Sequence, residues 1–145
     1  MKKILLYTVI SIFLFTIFIS LSGCGGGVLL PDLVAVNPTG MTDWCNVDDS
    51  GNLSIYIKNQ GNAPAGSFTV KVEWGYIDVG EIEGPTPQTI PVNGLGIGDT
   101  QILTIPGCAG GYFGHDWSYT IYVDSGNDVE ESNEDNNIQN GSCVR

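Results

Sequence analysis

At 145 residues the chain has room for one domain and little beside it. Its 16 acidic side chains against 5 basic ones give a net charge of −11. That excess excludes a nucleic-acid partner, whose affinity would come largely from Lys and Arg on phosphate, and disfavours lying flat on an anionic lipid surface.

The chain opens Met1-Lys2-Lys3 and continues as an apolar run over residues 4–21, broken only by Thr8, Ser11, Thr16 and Ser20. A positive start, an apolar stretch and a small-residue exit form an export signal. A transmembrane anchor is the alternative, since the run approaches the roughly 20 residues that span a bilayer. Leu21-Ser22-Gly23-Cys24 decides between them, because it resembles the bacterial lipobox, in which the signal is cut before a cysteine that then receives lipid. The expected organisation is a signal peptide over residues 1–23, a tether over 24–31 and one domain over 32–145. Loss of Lys2 and Lys3 leaves 3 basic side chains and moves the charge from −11 to −13.

Cys24-Gly25-Gly26-Gly27-Val28-Leu29-Leu30-Pro31 has the composition of a flexible linker. Stretched out, it reaches at most about 28 Å, so the domain sits close to the bilayer.

From Asp32 onward the apolar pattern has period two. Leu53, Ile55 and Ile57 alternate with Ser54, Tyr56 and Lys58; Phe68, Val70, Val72 and Trp74 with Thr69, Lys71 and Glu73. Trp117, Tyr119, Ile121 and Val123 alternate with Ser118, Thr120, Tyr122 and Asp124. Such series are antiparallel strands that cover a core on one side. Residues 33–36, 88–92, 101–105 and 137–139 are shorter strand candidates, and helical spacing is absent outside the signal. Turn residues punctuate the series at Asp48 to Asn52, Asn59 to Asn62, Asn93-Gly94 and Gly96 to Asp99. The pattern predicts an all-β, immunoglobulin- or fibronectin-III-like antiparallel β-sandwich of about seven strands. Strand directions alternate, so the start of the first strand should share a pole with the loops after the second and sixth. The loops after the first and fifth, with the end of the seventh, should occupy the other pole.

Three stretches then carry a resemblance: Pro31-Asp32-Leu33-Val34; Ile57-Lys58-Asn59-Gln60-Gly61-Asn62 running on to Phe68; and Val123-Asp124 with Val129-Glu130-Glu131-Ser132-Asn133-Glu134-Asp135-Asn136-Asn137. Together they resemble the cell-adhesion-related domain found in bacteria (CARDB). The resemblance implies an immunoglobulin-type sandwich on an exported protein. Sequences of this pattern carry a further cysteine shortly after the position of Cys108, where this chain reads His115-Asp116-Trp117 instead. That departure favours Cys45–Cys143 as the disulfide of the mature domain, with Cys108 as the alternative partner of Cys45. An exported protein suits such a bond, and its loop of about 98 residues would contribute about 3–5 kcal/mol.

The acidic turn before the last strand has two readings. Asn and Asp bond to nearby backbone groups, which makes it a self-capped connection. The alternative is a weak calcium site among Asp124, Asp128, Glu130, Glu131, Glu134 and Asp135, since crowded oxygen ligands suit hard cations. An EF-hand is excluded: Gly126 stands at the third loop position and Val129 at the sixth. No other cofactor is expected. His115 is the only histidine and no Cys-x-x-Cys occurs, which argues against structural zinc.

Trp44, Tyr112, Phe113 and His115 fall on loops of the pole opposite the tether. Aromatic side chains among glycines there are either a binding tip or a flap over the core. No Gly-x-Ser-x-Gly elbow and no phosphate-cradling loop before a helix is present, so no enzyme is expected. The expected function is a lipid-anchored module of the cell envelope, facing outside the cytoplasm at the outer membrane or cell surface. It would be held to the membrane through lipid on Cys24 and bind a protein or glycan. The alternative is a structural spacer or envelope-assembly accessory without a ligand of its own.

Overall fold

The computed structural model describes residues 27–38, 44–76, 86–106 and 117–143. Within them lie seven strands and no helix: β1 (Leu33–Val36), β2 (Leu53–Asn59), β3 (Phe68–Tyr76), β4 (Gln88–Val92), β5 (Thr100–Ile105), β6 (Trp117–Tyr122) and β7 (Ile138–Cys143). One sheet has the order β1-β2-β5 and the other β4-β3-β6-β7, and every pairing is antiparallel. This is the all-β sandwich that the period-two pattern predicts. The chain leaves β2 for the opposite sheet, makes β3 and β4, and returns to lay β5 beside β2.

The apolar series face inward as their spacing requires. Leu53, Ile55 and Ile57 on β2 and Leu103 and Ile105 on β5 meet Phe68, Val70 and Val72 on β3 and Tyr119 and Ile121 on β6, all buried. Each such aliphatic side chain contributes about 1.5–3 kcal/mol by leaving water. Trp74 meets Tyr119 edge-on, with ring centroids 5.8 Å apart. On the outer face of the four-stranded sheet Lys71 pairs with Glu73 at 2.5 Å, and Glu73 also accepts the Tyr122 hydroxyl.

Several strand ends differ by a few residues from the sequence reading, and those of β6 and β7 have a structural reason. β6 stops at Tyr122, because Asp124 takes a left-handed conformation (φ 47°) that ends the pleat. β7 runs on to Cys143, past the strand candidate at 137–139 and through Asn140-Gly141. Gly141 lies opposite Tyr119, and a Cβ there would sit 2.3 Å from the Tyr119 ring. Glycine is therefore needed for the ring to lie across the strand, and the dipeptide marks close packing instead of a bend.

The poles follow from the strand directions. The start of β1, the β2–β3 loop, the β4–β5 turn and the β6–β7 loop share one pole, and the β1–β2 connection and the end of β7 share the other.

Candidate functional site

At the first pole residues 30–33 run between two loops that hold them from both sides. From the β2–β3 loop, Asn62 accepts the Leu30 N–H on its Oδ1 (2.9 Å) and donates its own N–H to the Leu30 carbonyl (3.0 Å). The Gln60 N–H donates to the Asp32 carbonyl (2.8 Å). From the β6–β7 loop, the Ser132 N–H donates to the Pro31 carbonyl (2.9 Å), and Asn136 Nδ2 donates to the Asp32 carboxylate (2.8 Å). The tether read over residues 24–31 is thus fixed to the domain at Leu30 and Pro31. Gly61 permits the approach, since a Cβ there would lie 2.5 Å from the backbone at Pro31 and Asp32.

Asn59 is the hub of this clamp and is fully buried. Its Oδ1 accepts the N–H groups of Asp32 (3.2 Å) and Gly61 (3.0 Å), while its Nδ2 donates to the carbonyls of Ala63 (2.8 Å) and Leu95 (3.1 Å). One side chain thereby ties the start of β1, the β2–β3 loop and the β4–β5 turn together. Sequence reasoning took Asn59 only as a turn residue. Its register, two positions after Ile57 on the inward face of β2, was the available signal.

The β6–β7 loop is built around carboxylates that serve backbone donors. Asp124 is buried and accepts the N–H groups of Asp128 (3.0 Å) and Val129 (2.9 Å), which seats Val129 in the core. Glu131 is buried and accepts the Leu33 N–H on one oxygen and Asn137 Nδ2 on the other (2.8 Å). Glu134 accepts the Glu131 N–H (2.9 Å). Burial pushes the Glu131 carboxyl above its ordinary range; the Leu33 and Asn137 donors oppose this, and the Glu134 and Asp124 charges push the same way. Asp128, Glu130 and Asp135 lie on the exposed side of the loop. Among the described residues no group of three or more His, Cys, Asp or Glu side chains is arranged to hold a metal ion.

At the opposite pole Cys45 and Cys143 form a disulfide across the two sheets, with Cα atoms 4.9 Å apart. Trp44 is half-buried against the core, and its carbonyl accepts the Tyr119 hydroxyl. A small open pocket beside it is lined by Val36, Asn37, Asn46, Tyr56 and Tyr119 among others. Cys24, Cys108, Tyr112, Phe113 and His115 lie outside the described residues, as does the segment read as a signal.

The fold and the clamp define an immunoglobulin-like module whose chain enters at a hydrogen-bonded pole and whose far pole is stapled. The CARDB family profile matches residues 30–141, and the chain belongs to that family. The three stretches that meet in the clamp are those that carried the resemblance. Among solved structures, a domain of a Methanosarcina acetivorans protein designated a cell surface protein is 26% identical, with a TM-score of 0.57 over 79% of this chain and 90% of its own. The CARDB domain of a Pyrococcus furiosus protein, in complex with di-metal ions, is 24% identical, with a TM-score of 0.52 over 79% and 88%. The solution structure of the CARDB domain of the same Pyrococcus protein gives 22% identity and a TM-score of 0.51 over 81% and 96%. No curated protein matches the chain.

Proposed function

We propose that this protein is a non-enzymatic, extracytoplasmic interaction module of the cell envelope. It is held to the outer membrane or cell surface by lipid on Cys24 and offers the disulfide-bridged pole to a protein or glycan. The observation that carries the reading is the position of residues 30–33, clamped at the pole opposite the Cys45–Cys143 bridge. An anchor at Cys24 then turns the β2–β3 and β6–β7 loops toward lipid and leaves the far pole free. The designation of the Methanosarcina relative as a cell surface protein supports the compartment. Replacing Cys24 by Ala tests the anchor: uncut precursor in the membrane fraction is expected, and normal cutting with lipid labelling would refute it. Substituting Tyr112 and Phe113 by Ser tests the distal site, where lost capture of a partner with an unchanged melting temperature is the expected result.

Two further readings have a specific observation in their favour. Trp44 packs on the core, which suits a spacer whose distal aromatics are caps; a fall of several degrees in the melting temperature of the Tyr112 and Phe113 variant would support it. A cation at the β6–β7 loop is suggested by Asn136 and Asn137, whose buried Oδ1 atoms have no hydrogen-bond partner among the described residues. Against it, the carboxylates of Asp124, Glu131 and Glu134 already serve backbone donors. A cation that binds only the folded state raises the melting temperature. An unchanged melting curve at millimolar calcium removes this reading.

A further inference from the structure

Three isoleucines are exposed to nearly the same degree: Ile97 (58%), Ile102 (55%) and Ile138 (59%). Ile102 and Ile138 stand on strands, opposite Tyr56 and Tyr122, where cross-strand pairing gives each a place in its sheet. Ile97 stands instead at the tip of the β4–β5 turn. The Asp99 N–H donates to the Gly96 carbonyl (3.2 Å), and Gly98 has the left-handed angle (φ 77°) that a type II turn requires at its second central position. The position before it suits Pro or a polar residue, and here it holds a bulky aliphatic one. The turn is fixed to the fold, since the Gly98 N–H donates to the Asn59 carbonyl (2.9 Å) and the Asn59 N–H donates to the Asp99 carbonyl (3.1 Å). Asn59 also holds the Asp32 N–H, so one residue ties Ile97 to the entry of β1. Just before that entry Val28 and Leu29 are more exposed still.

We infer that Val28, Leu29 and Ile97 form an apolar foot by which the domain itself dips into the lipid–water interface of a membrane. Apolar side chains gain by leaving water, and the headgroup–acyl boundary accepts them without a groove to fit. The length of the chain before the domain favours a bilayer as the occupant. Cys24 lies six residues before the pinned Leu30, so a lipid on it sits within at most about 22 Å of the clamp. Charge selects the lipid. Asp99 beside the foot is exposed, as are Glu130 and Asp135 in the β6–β7 loop of the same pole. These carboxylates would be repelled by an anionic surface, so the foot suits a zwitterionic one.

The inference rests on the proposed anchoring at Cys24 and adds which half of the pole faces down. Val28 and Leu29 lead into β1 and Ile97 into β5, both strands of the three-stranded sheet, whereas the acidic loop joins two strands of the other. The domain therefore leans on its β1-β2-β5 side and keeps the acidic loop in water.

Photolabelling from the bilayer tests it. The lipidated protein is placed in phosphatidylcholine vesicles that carry a diazirine high in one acyl chain, and adducts are located by peptide mass analysis. Val28 and Leu29 lie next to the anchor, so Ile97 is the deciding residue. It should be labelled severalfold above Ile102 and Ile138, which match it in residue type and exposure. Ile97→Asp should bring labelling of the whole turn down to the level of Ile102 and leave the melting temperature in solution unchanged. The mass of the fragment that holds residue 24 reports the lipid separately, so a failed anchor shows as an unmodified Cys24. The uncut chain, held by its apolar run over residues 4–21, then gives the same comparison. Equal labelling of the three isoleucines, or none at Ile97 beside a lipid-modified Cys24, would overturn the inference. So would a dimer in solution that Ile97→Asp dissolves, since the patch would then belong to a second copy.

Discussion

The carboxylate of Glu131 accepts the backbone N–H of Leu33, 98 positions earlier in the chain. Its other oxygen accepts Asn137 Nδ2, so a buried acid from the last loop fixes the first strand in place. Sequence reasoning read the turn that holds Glu131 as a self-capped connection, with a weak cation site as the alternative; in the fold Glu131 supplies an acceptor to the first N–H of β1.

This arrangement predicts a pH dependence. Burial raises the folded-state pKa of Glu131 above its unfolded value, so the folded protein holds that proton more tightly. The group's favourable contribution is full below the unfolded pKa of about 4.3 and is lost as pH rises through the raised folded value. Glu131→Gln cannot titrate and places an amide donor where the carboxyl offers an acceptor, costing about 1–3 kcal/mol, while only the native protein carries the pH-dependent contribution. Urea unfolding of both proteins at pH 4.5 and pH 8 should show that gap shrinking at the higher pH. A gap of the same size at both would mean that the carboxyl is not perturbed.

Asn59→Ala should be among the most damaging single changes in the β2–β3 region. It strands donors at Asp32 and Gly61 and acceptors at Ala63 and Leu95. With about 1–3 kcal/mol for each buried group left unpaired and some relief by water, a loss of about 3 kcal/mol is expected. The melting temperature should fall by about 10 °C or more. A loss near zero would show that Asn59 is not a structural hub.

Two glycines of one loop should behave differently. A Cβ at Gly61 meets backbone at 2.5 Å, which no rotamer can relieve, whereas one at Gly66 meets nothing within 4 Å. Gly61→Ala should cost about 1–3 kcal/mol, as overpacking does, and Gly66→Ala close to nothing. Thermal melts of the pair give the comparison, and equal melting temperatures would contradict the close approach of residues 30–32 to the loop.

Reduction of Cys45–Cys143 should lower stability by about 3–5 kcal/mol, because a loop of 98 residues is freed in the unfolded chain. Denaturation with and without reductant measures the loss, and peptide mapping without reduction identifies the bond. A Cys45–Cys108 peptide would contradict the pairing.

The sequence by itself determined the β-sandwich, since strict alternation at Leu53-Ile55-Ile57, Phe68-Val70-Val72 and Tyr119-Ile121 leaves no other way to bury one face of each strand. It also determined the two poles, because antiparallel strands alternate in direction and the start of β1 must then meet the loops after β2 and β6. Tertiary structure decided what the polar residues at those poles do. Asn59, Asp124 and Glu131 read locally as turn formers or cation ligands, yet their partners at Leu95, Val129 and Leu33 are chosen by how the sheets stack. The length of β7 was likewise hidden, because Gly141 signals a turn until the ring of Tyr119 is seen lying across it. A hydrogen bond between residues 98 positions apart has no local signature, for the period of a strand reports which way a side chain points and not what it will find there.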